Sequence, residues 1–390
     1  MRRDLRFGAR TLRKHLGFTI TAIVTLALGI GMNATIFSLF NSVDLKSVPA
    51  RDPSRVVSLY SHVPGDSCEN VYSFPEYIYT RKQNSVLSEL AAYAGARVML
   101  DNAQGASSGA GVEWLQGQLV SGNYFDLLGA VPAMGRTFLP EEDQTPGARP
   151  MVLLDYGFWQ RKFGGDPAIL GKTLKLNSVA YTVVGITAQG FVGADPEATD
   201  VWIPLMMAQA IHAGPPPFEN RNSGWLNLMG RLKPGVTLAQ AKSELAVLAA
   251  RFHAQDDGRA RNTTTVVTPG GFLSPSQKSD ILPFAFLVMA AVGLVLMIAC
   301  ANVANLQLTR GVARQKEMGI RTALGASRWR LVRQMVMESL LLSGAAGVLG
   351  LFFSWWAADL LLGIAHPPGT RALQLKTSPD WHVALYLVGV

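Results

Sequence analysis

Three stretches hold residues whose types and spacing could do chemistry. Gly164 to Thr173 reads GGDPAILGKT, glycines around a Lys-Thr pair, as in loops whose backbone N–H groups cradle phosphate. Met151 to Asp155, MVLLD, has the form of a strand presenting a magnesium-binding aspartate. Glu141-Glu142-Asp143 is a carboxylate run, and paired carboxylates can move protons. None of the three completes a site. A phosphate loop needs GxxxxGK[ST], with four residues between its glycines. Here five separate Gly165 from Gly171, Asp166 stands inside the would-be anion cradle, and MVLLD precedes the glycines where a nucleotide-binding domain would place it after them. The stretch therefore reads as a loop leading into a hairpin, and the acidic run as a solvated loop after Pro140. The histidines, His15, His62, His212, His253, His366 and His382, form no HExxH and no i, i+4 pair. Cys68 and Cys300 lack a CxxC neighbour, and no disulfide between them is expected. These patterns predict no catalytic centre, no metal and no cofactor.

A fourth stretch is different. Arg310 to Arg333, RGVARQKEMGIRTALGASRWRLVR, carries seven basic residues and one acid, Glu317, and lies between two apolar runs. Composition explains the setting. Of 390 residues 49% are hydrophobic and only 16% charged, against about 25% charged in ordinary soluble chains. The net charge of +8 is unevenly spread. Residues 1–14 hold six Lys/Arg and one Asp, while residues 44–280 hold 20 Lys/Arg against 22 Asp/Glu, a net of −2. A positive excess confined to segments beside apolar runs follows the positive-inside rule; no nucleic-acid stripe is expected.

The apolar runs are Phe18 to Phe40, Ile281 to Leu308 and Ser339 to Ala358, of 23, 28 and 20 residues without a charge. About 20 apolar residues cross the hydrocarbon. The first run is too long for a signal-peptide core and reads as an uncleaved anchor. The expected organisation is a basic amphipathic cytoplasmic segment (1–17) lying on membrane lipid, transmembrane helix 1 (18–43), an extracytoplasmic domain (44–280), helix 2 (281–308), a cytoplasmic elbow (309–334), helix 3 (335–364) and an outer loop (366–380). Residues 381–390, WHVALYLVGV, read as the start of a truncated fourth helix. The chain is thus expected to be a multi-pass membrane protein, an α-helical bundle with a large α+β domain between helices 1 and 2, its N-terminus cytoplasmic.

Local signals within the domain are specific. Lys172 to Ile186 alternates about Asn177-Ser178 and predicts a hairpin. Leu238 to His253 places Leu238, Ala241, Leu245, Leu248 and Phe252 at a 3.6 period, with Thr237 as N-cap. Ser73 to Tyr77 could open another helix. Gly/Pro-rich breaks near Gly105–Gly111 and Gly214–Pro217 suggest two lobes. In the spans, Ala27 and Gly31, Ser343 and Gly347, and Ala346 and Gly350 are small residues four apart that let helices approach. Asn302 and Asn305 sit one turn apart, and amides at that depth want a partner across an interface.

Glu317 to Ala326, EMGIRTALGA, resembles the E-[IM]-G-[IL]-R-x-A-[LV]-G-A signature of the MacB/FtsX-type ABC permeases. The phrases DLRFGARTLRKHLGFTITAIVTLALGIGMNATIFS, SGNYFDLLGAVPAMGRTFLPEED and FWQRKFGGDPAILGKTLKLN are similar to that family too, and together look like the first half of its acidobacterial duplicated orphan permeases. The resemblance implies a MacB-like periplasmic core domain, an FtsX-like bundle, a bacterial inner-membrane location, a dimer or pseudo-dimer through a second permease half, and a separate cytoplasmic ABC ATPase. The implied role is mechanotransmission or efflux; the alternative is a regulator of an extracytoplasmic partner such as a cell-wall hydrolase. The signature implies an ATPase-coupling elbow on Glu317, Gly319, Arg321, Ala323, Gly325 and Ala326, with Glu317 and Arg321 docking and the glycines setting the bend.

Overall fold

The computed structural model describes residues 16–40, 50–63, 71–101, 113–195, 198–211, 218–254, 256, 261–272, 274–313 and 328–364. The basic segment 1–15, Cys68, the Gly105–Gly111 and Gly214–Pro217 breaks, the signature residues 317–326 and residues 365–390 lie outside them. Two compact units divide the chain, residues 43–279 and a second made of residues 1–42 with 280–390.

The first unit is built on one ten-stranded sheet. Its strands are β1 (Val56–His62), β2 (Leu87–Leu100), β3 (Glu113–Val120), β4 (Met134–Gly135), β5 (Met151–Leu154), β6 (Thr173–Leu176), β7 (Val179–Ile186), β8 (Val201–Pro204), β9 (Asn227–Leu232) and β10 (Thr264–Pro269). They run in the order β10-β1-β9-β2-β3-β8-β5-β7-β4, with β6 joining β2 and β7. All neighbours are antiparallel except β3 with β8 and β5 with β7. The expectation of two lobes is corrected here. The 14-residue β2 pairs β9 through its first half and β3 through its second, so one strand belongs to both halves of the sheet.

Helices follow the local signals. Among the described residues the helices are α1 (Leu16–Phe40), α2 (Phe74–Gln83), α3 (Tyr124–Leu128), α4 (Tyr156–Phe163), α5 (Ala208–Ile211), α6 (Leu238–His253), α7 (Pro275–Ala313) and α8 (Arg328–Ile364). Ser73 Oγ caps α2 by accepting from Glu76 N at 3.3 Å. A capping box starts α6: Gln240 N donates to Thr237 Oγ1 at 3.3 Å, and Thr237 N to Gln240 Oε1 at 2.8 Å. Its Ala241, Leu245, Leu248 and Phe252 are buried. Asn177 and Ser178 take φ of 47° and 67°, the left-handed pair that a tight hairpin turn requires. Asn177 also fixes the hairpin to β2, its Oδ1 accepting from Met99 N at 2.8 Å.

The nucleotide-like stretches have structural roles. Asp155, at the end of MVLLD, caps α4 by accepting from Phe158 N at 2.9 Å. Gly164, with φ of 61°, ends the same helix. Asp166 Oδ1 accepts from Ala168 N at 2.9 Å to start a short turn into β6.

Among the described residues three helices are long and apolar enough to cross a membrane, over Thr19–Ser38, Pro275–Thr309 and Val336–Ala357. Each outruns its charge-free core. At about 1.5 Å per residue the 39 residues of α7 reach roughly 58 Å, nearly twice the ~30 Å hydrocarbon. Ser274 and Gln277 form a second capping box at its start, at 3.0 and 3.2 Å. Pro283 inside α7 cannot donate to the carbonyl of Ser279.

Candidate functional site

Small residues let α1 approach α8 closely. A Cβ added at Gly31 would lie 2.7 Å from Phe353 Cδ1 and 3.0 Å from Gly350 O. One added at Gly350 would lie 3.1 Å from Ala27 O. Ala22, Leu26 and Ala27 of α1 form a small core with Leu342 and Ala346 of α8 and Val303 of α7. On α8 the buried stripe is Leu342, Ala346, Gly350 and Ser354, in steps of four. Ser343 and Gly347 lie one residue, about 100° of helix turn, off that stripe. Ser343 is exposed, and nothing lies within 4 Å of a Cβ built at Gly347. Of the two small-residue pairs on α8, Ala346 and Gly350 therefore meet α1.

Sequence reasoning missed the polar residues buried on these two helices. Asn33, Thr35 and Ser38 of α1 and Ser354 of α8 are buried. Thr35 Oγ1 donates to Gly31 O at 2.7 Å, with Ser354 O at 3.4 Å across the interface. Their signal was present in the steps of four from Ala27 through Gly31 to Thr35. Asn302 and Asn305 are exposed on α7. A polar link between α7 and α8 lies two residues past Asn305, where Ser339 Oγ donates to Gln307 Oε1 at 3.2 Å. The signature residues Glu317, Gly319, Arg321, Ala323, Gly325 and Ala326 lie outside the described residues; α7 and α8 enter and leave the segment holding them.

In the first unit, SGNYFDLLGAVPAMGRTFLPEED is a packing motif. Tyr124, Phe125 and Phe138 are fully buried against Trp202. Gln118 Oε1 accepts from Tyr124 OH and Trp202 Nε1, both at 3.2 Å, and Ala194 N donates to Tyr124 OH at 2.8 Å. The reading of Glu141-Glu142-Asp143 as a solvated loop needs correction. Glu142 takes both arms of Arg136 at 2.6 and 2.7 Å. Asp143 turns inward, accepting from Gly122 N and Met206 N, both at 3.0 Å. Glu142 and Asp143 close a turn, while Glu141 remains exposed to water. Among the described residues no group of three or more His, Cys, Asp or Glu is placed to hold a metal ion.

Burial pushes the Asp143 carboxyl up to about 6, against the pull of its backbone donors and Arg81. A raised carboxyl favours the fold when protonated, so this stability is complete below about pH 4 and is lost as pH rises through about 6. The stability of wild type relative to Asp143→Asn is expected to fall by roughly 3 kcal/mol across that window. Thermal unfolding of both proteins over the pH range checks this; a difference that stays flat or grows contradicts it.

The chain matches the MacB-like periplasmic core domain family over residues 19–248 and the FtsX-like permease C-terminal family over residues 289–388. It is 26% identical over 290 residues to the macrolide export ATP-binding/permease protein MacB of Escherichia coli (strain K12), covering 73% of this chain and 41% of the relative. The MacB of Shigella flexneri gives the same figures. The chain thus spans about two fifths of the length of these relatives. Among solved structures, a domain of a putative permease from Porphyromonas gingivalis aligns with a TM-score of 0.43 and 16% identity, covering 58% of this chain and 95% of that one. The periplasmic region of MacB from Actinobacillus actinomycetemcomitans aligns at 0.41 and 14%, covering 56% and 90%.

Proposed function

The chain belongs to the MacB-like periplasmic core domain family and is an ABC-type permease of the MacB/FtsX kind, and from that premise we propose that it transmits the work of a cytoplasmic ABC ATPase on a separate chain to its extracytoplasmic domain. Three helices form a bundle in the inner membrane, with residues 1–17 and 309–334 in the cytoplasm and the sheet domain outside. Glu317 and Arg321 dock the ATPase, Ala323 and Ala326 pack against it, and Gly319 and Gly325 set the bend. The permease works as a dimer or pseudo-dimer with a second permease half.

The observation that supports this most is α7. Five residues separate it from the end of β10; it is capped by Ser274 and Gln277 and continues unbroken to Ala313, just short of the signature. A single helix therefore leads from the sheet domain to the segment expected to meet the ATPase. A displacement at one end is carried along hydrogen-bonded backbone, since helices bend mainly at defined points such as Pro283. The bundle is suited to tilting more than to conduction. The small-residue seam of Ala27, Gly31, Ala346 and Gly350 packs α1 tightly on α8. The sequence of the spans holds no line of charges along which an ion would pass.

The topology is tested by protease treatment of intact spheroplasts. Cleavage within residues 50–275 with residues 309–334 spared is the expected result. Cleavage of the basic elbow with the sheet domain spared would overturn the assignment.

A further inference from the structure

We propose that His253, Glu76 and Asp256 form a proton-dependent latch that holds the C-terminal turn of α6 against α2. His253 is buried at the end of α6, and Glu76 is buried in the first turn of α2. His253 Nε2 lies 3.1 Å from Glu76 Oε1, and Nδ1 lies 2.5 Å from Asp256 Oδ2. Both ring nitrogens therefore face carboxylate oxygens. A neutral imidazole has one N–H and one lone pair, and an ionised carboxylate only accepts. A neutral His253 would set a lone pair against one of the two carboxylates. The closed arrangement holds one more proton than a neutral histidine with two carboxylates, and an imidazolium satisfies both contacts.

The surrounding groups make that proton decisive. Arg221 Nη2 lies 3.6 Å from Asp256 Oδ1 and donates to Phe252 O at 2.6 Å, with its guanidinium 4.0 Å from the centre of the Phe252 ring. With His253 charged, two cations meet two anions. With His253 neutral, a buried negative charge is left over, an expensive arrangement in a poorly solvated site. Among the described residues, two tyrosines also border the latch. Tyr72, beside Glu76, donates to Thr265 Oγ1 of β10 at 3.2 Å, and burial raises its hydroxyl well above the usual tyrosine range. Tyr79 of α2 stacks on Phe252 at 5.4 Å.

Burial alone would lower the His253 pKa, but the hydrogen bonds and charges of Glu76 and Asp256 outweigh it and hold it above 6.5. A raised histidine stabilises the fold fully below 6.5 and loses that contribution as pH climbs through its folded-state value. The latch is closed in mildly acidic surroundings and released in alkaline ones. Release loosens the end of a helix that packs along β10, the strand preceding α7 in the chain. The latch stands on its own geometry and does not require the coupling role.

Hydrogen exchange on the full chain in nanodiscs tests this, comparing the last two turns of α6 and the first of α2 at about pH 5.5 and about pH 8.5 after correction for intrinsic exchange. Protection of these segments is expected to fall roughly tenfold or more at the higher pH, while the core strands β3 and β8 keep theirs. In Asp256→Asn a neutral His253 accepts from the amide and donates to Glu76, so the pH step should vanish with protection retained at alkaline pH. Equal protection of the wild type at both pH values, or an unaltered step in Asp256→Asn, overturns the latch. If the variant fails to fold, the wild-type comparison against β3 and β8 decides alone.

Discussion

Replacing Arg321 with glutamate is expected to cut recovery of the cytoplasmic ATPase with the permease by about 30-fold or more, with membrane insertion unchanged. The factor corresponds to roughly 2 kcal/mol, the lower end of what removing one partner of a desolvated interfacial charge pair costs. Reversal adds repulsion to that loss. Arg321 lies four residues after Glu317, one helical turn, so the two charges belong to one face if the segment is helical. A partner that answers both must present an acid and a base in fixed order, and that pairing gives docking its specificity. Arg314 and Lys316 are the internal controls. A basic side chain near a cytoplasmic leaflet is drawn to anionic lipid by about 1 kcal/mol, and neutralising these two should alter ATPase recovery far less. Equal losses for Arg321, Arg314 and Lys316 would mean that bulk positive charge, and not a docking pair, holds the ATPase.

Gly31→Leu is expected to lower the thermal stability of the purified chain by several degrees, whereas Gly347→Leu leaves it nearly unchanged. The two substitutions add the same side chain to small-residue motifs on two membrane helices. At Gly31 even the first added carbon would sit 2.7 Å from Phe353 Cδ1 and 3.0 Å from the carbonyl oxygen of Gly350. The phenyl ring can swing aside, but the carbonyl cannot, so α1 and α8 must separate. Overpacking of this kind costs roughly 1–3 kcal/mol. In a membrane no hydrophobic gain offsets it, because a displaced apolar surface meets lipid instead of water. Separation also exposes Thr35, now buried within reach of Ser354 O. At Gly347 a Cβ has nothing within 4 Å. A thermal unfolding series on the two proteins reads the difference directly, and equal losses would remove the α1–α8 contact from the account.

Features set by neighbouring residues were legible in the sequence. Thr237 and Gln240 announce the start of α6, Asn177-Ser178 the β6–β7 turn, and Ser73 the start of α2, because capping and turn chemistry act over four residues or fewer. The apolar runs located α1, α7 and α8 but not their ends, since charged and polar turns extend the same helices past the hydrocarbon. What escaped was non-local. The place of β2 in both halves of the sheet follows from pairings with β9 and β3 that no local pattern encodes. Glu76 and His253 are 177 positions apart, and each alone looks like an ordinary surface residue on a helix. The seam on α8 escaped for another reason. In lipid both faces of a helix are apolar, so hydrophobic periodicity cannot choose between the Ser343–Gly347 and Ala346–Gly350 stripes. The acidic run misled because charge density normally marks solvated surface. Here two buried backbone donors, Gly122 N and Met206 N, turn Asp143 inward.

The coupling role rests on a second protein reaching the elbow. The most direct measurement is affinity purification of the intact chain from native membranes, followed by identification of bound subunits and assay of ATP hydrolysis. Recovery of an ATP-binding subunit in near-stoichiometric amount, lost on Arg321→Glu, is the predicted result. Membranes that yield the permease in folded form with no ATP-binding subunit would contradict the account.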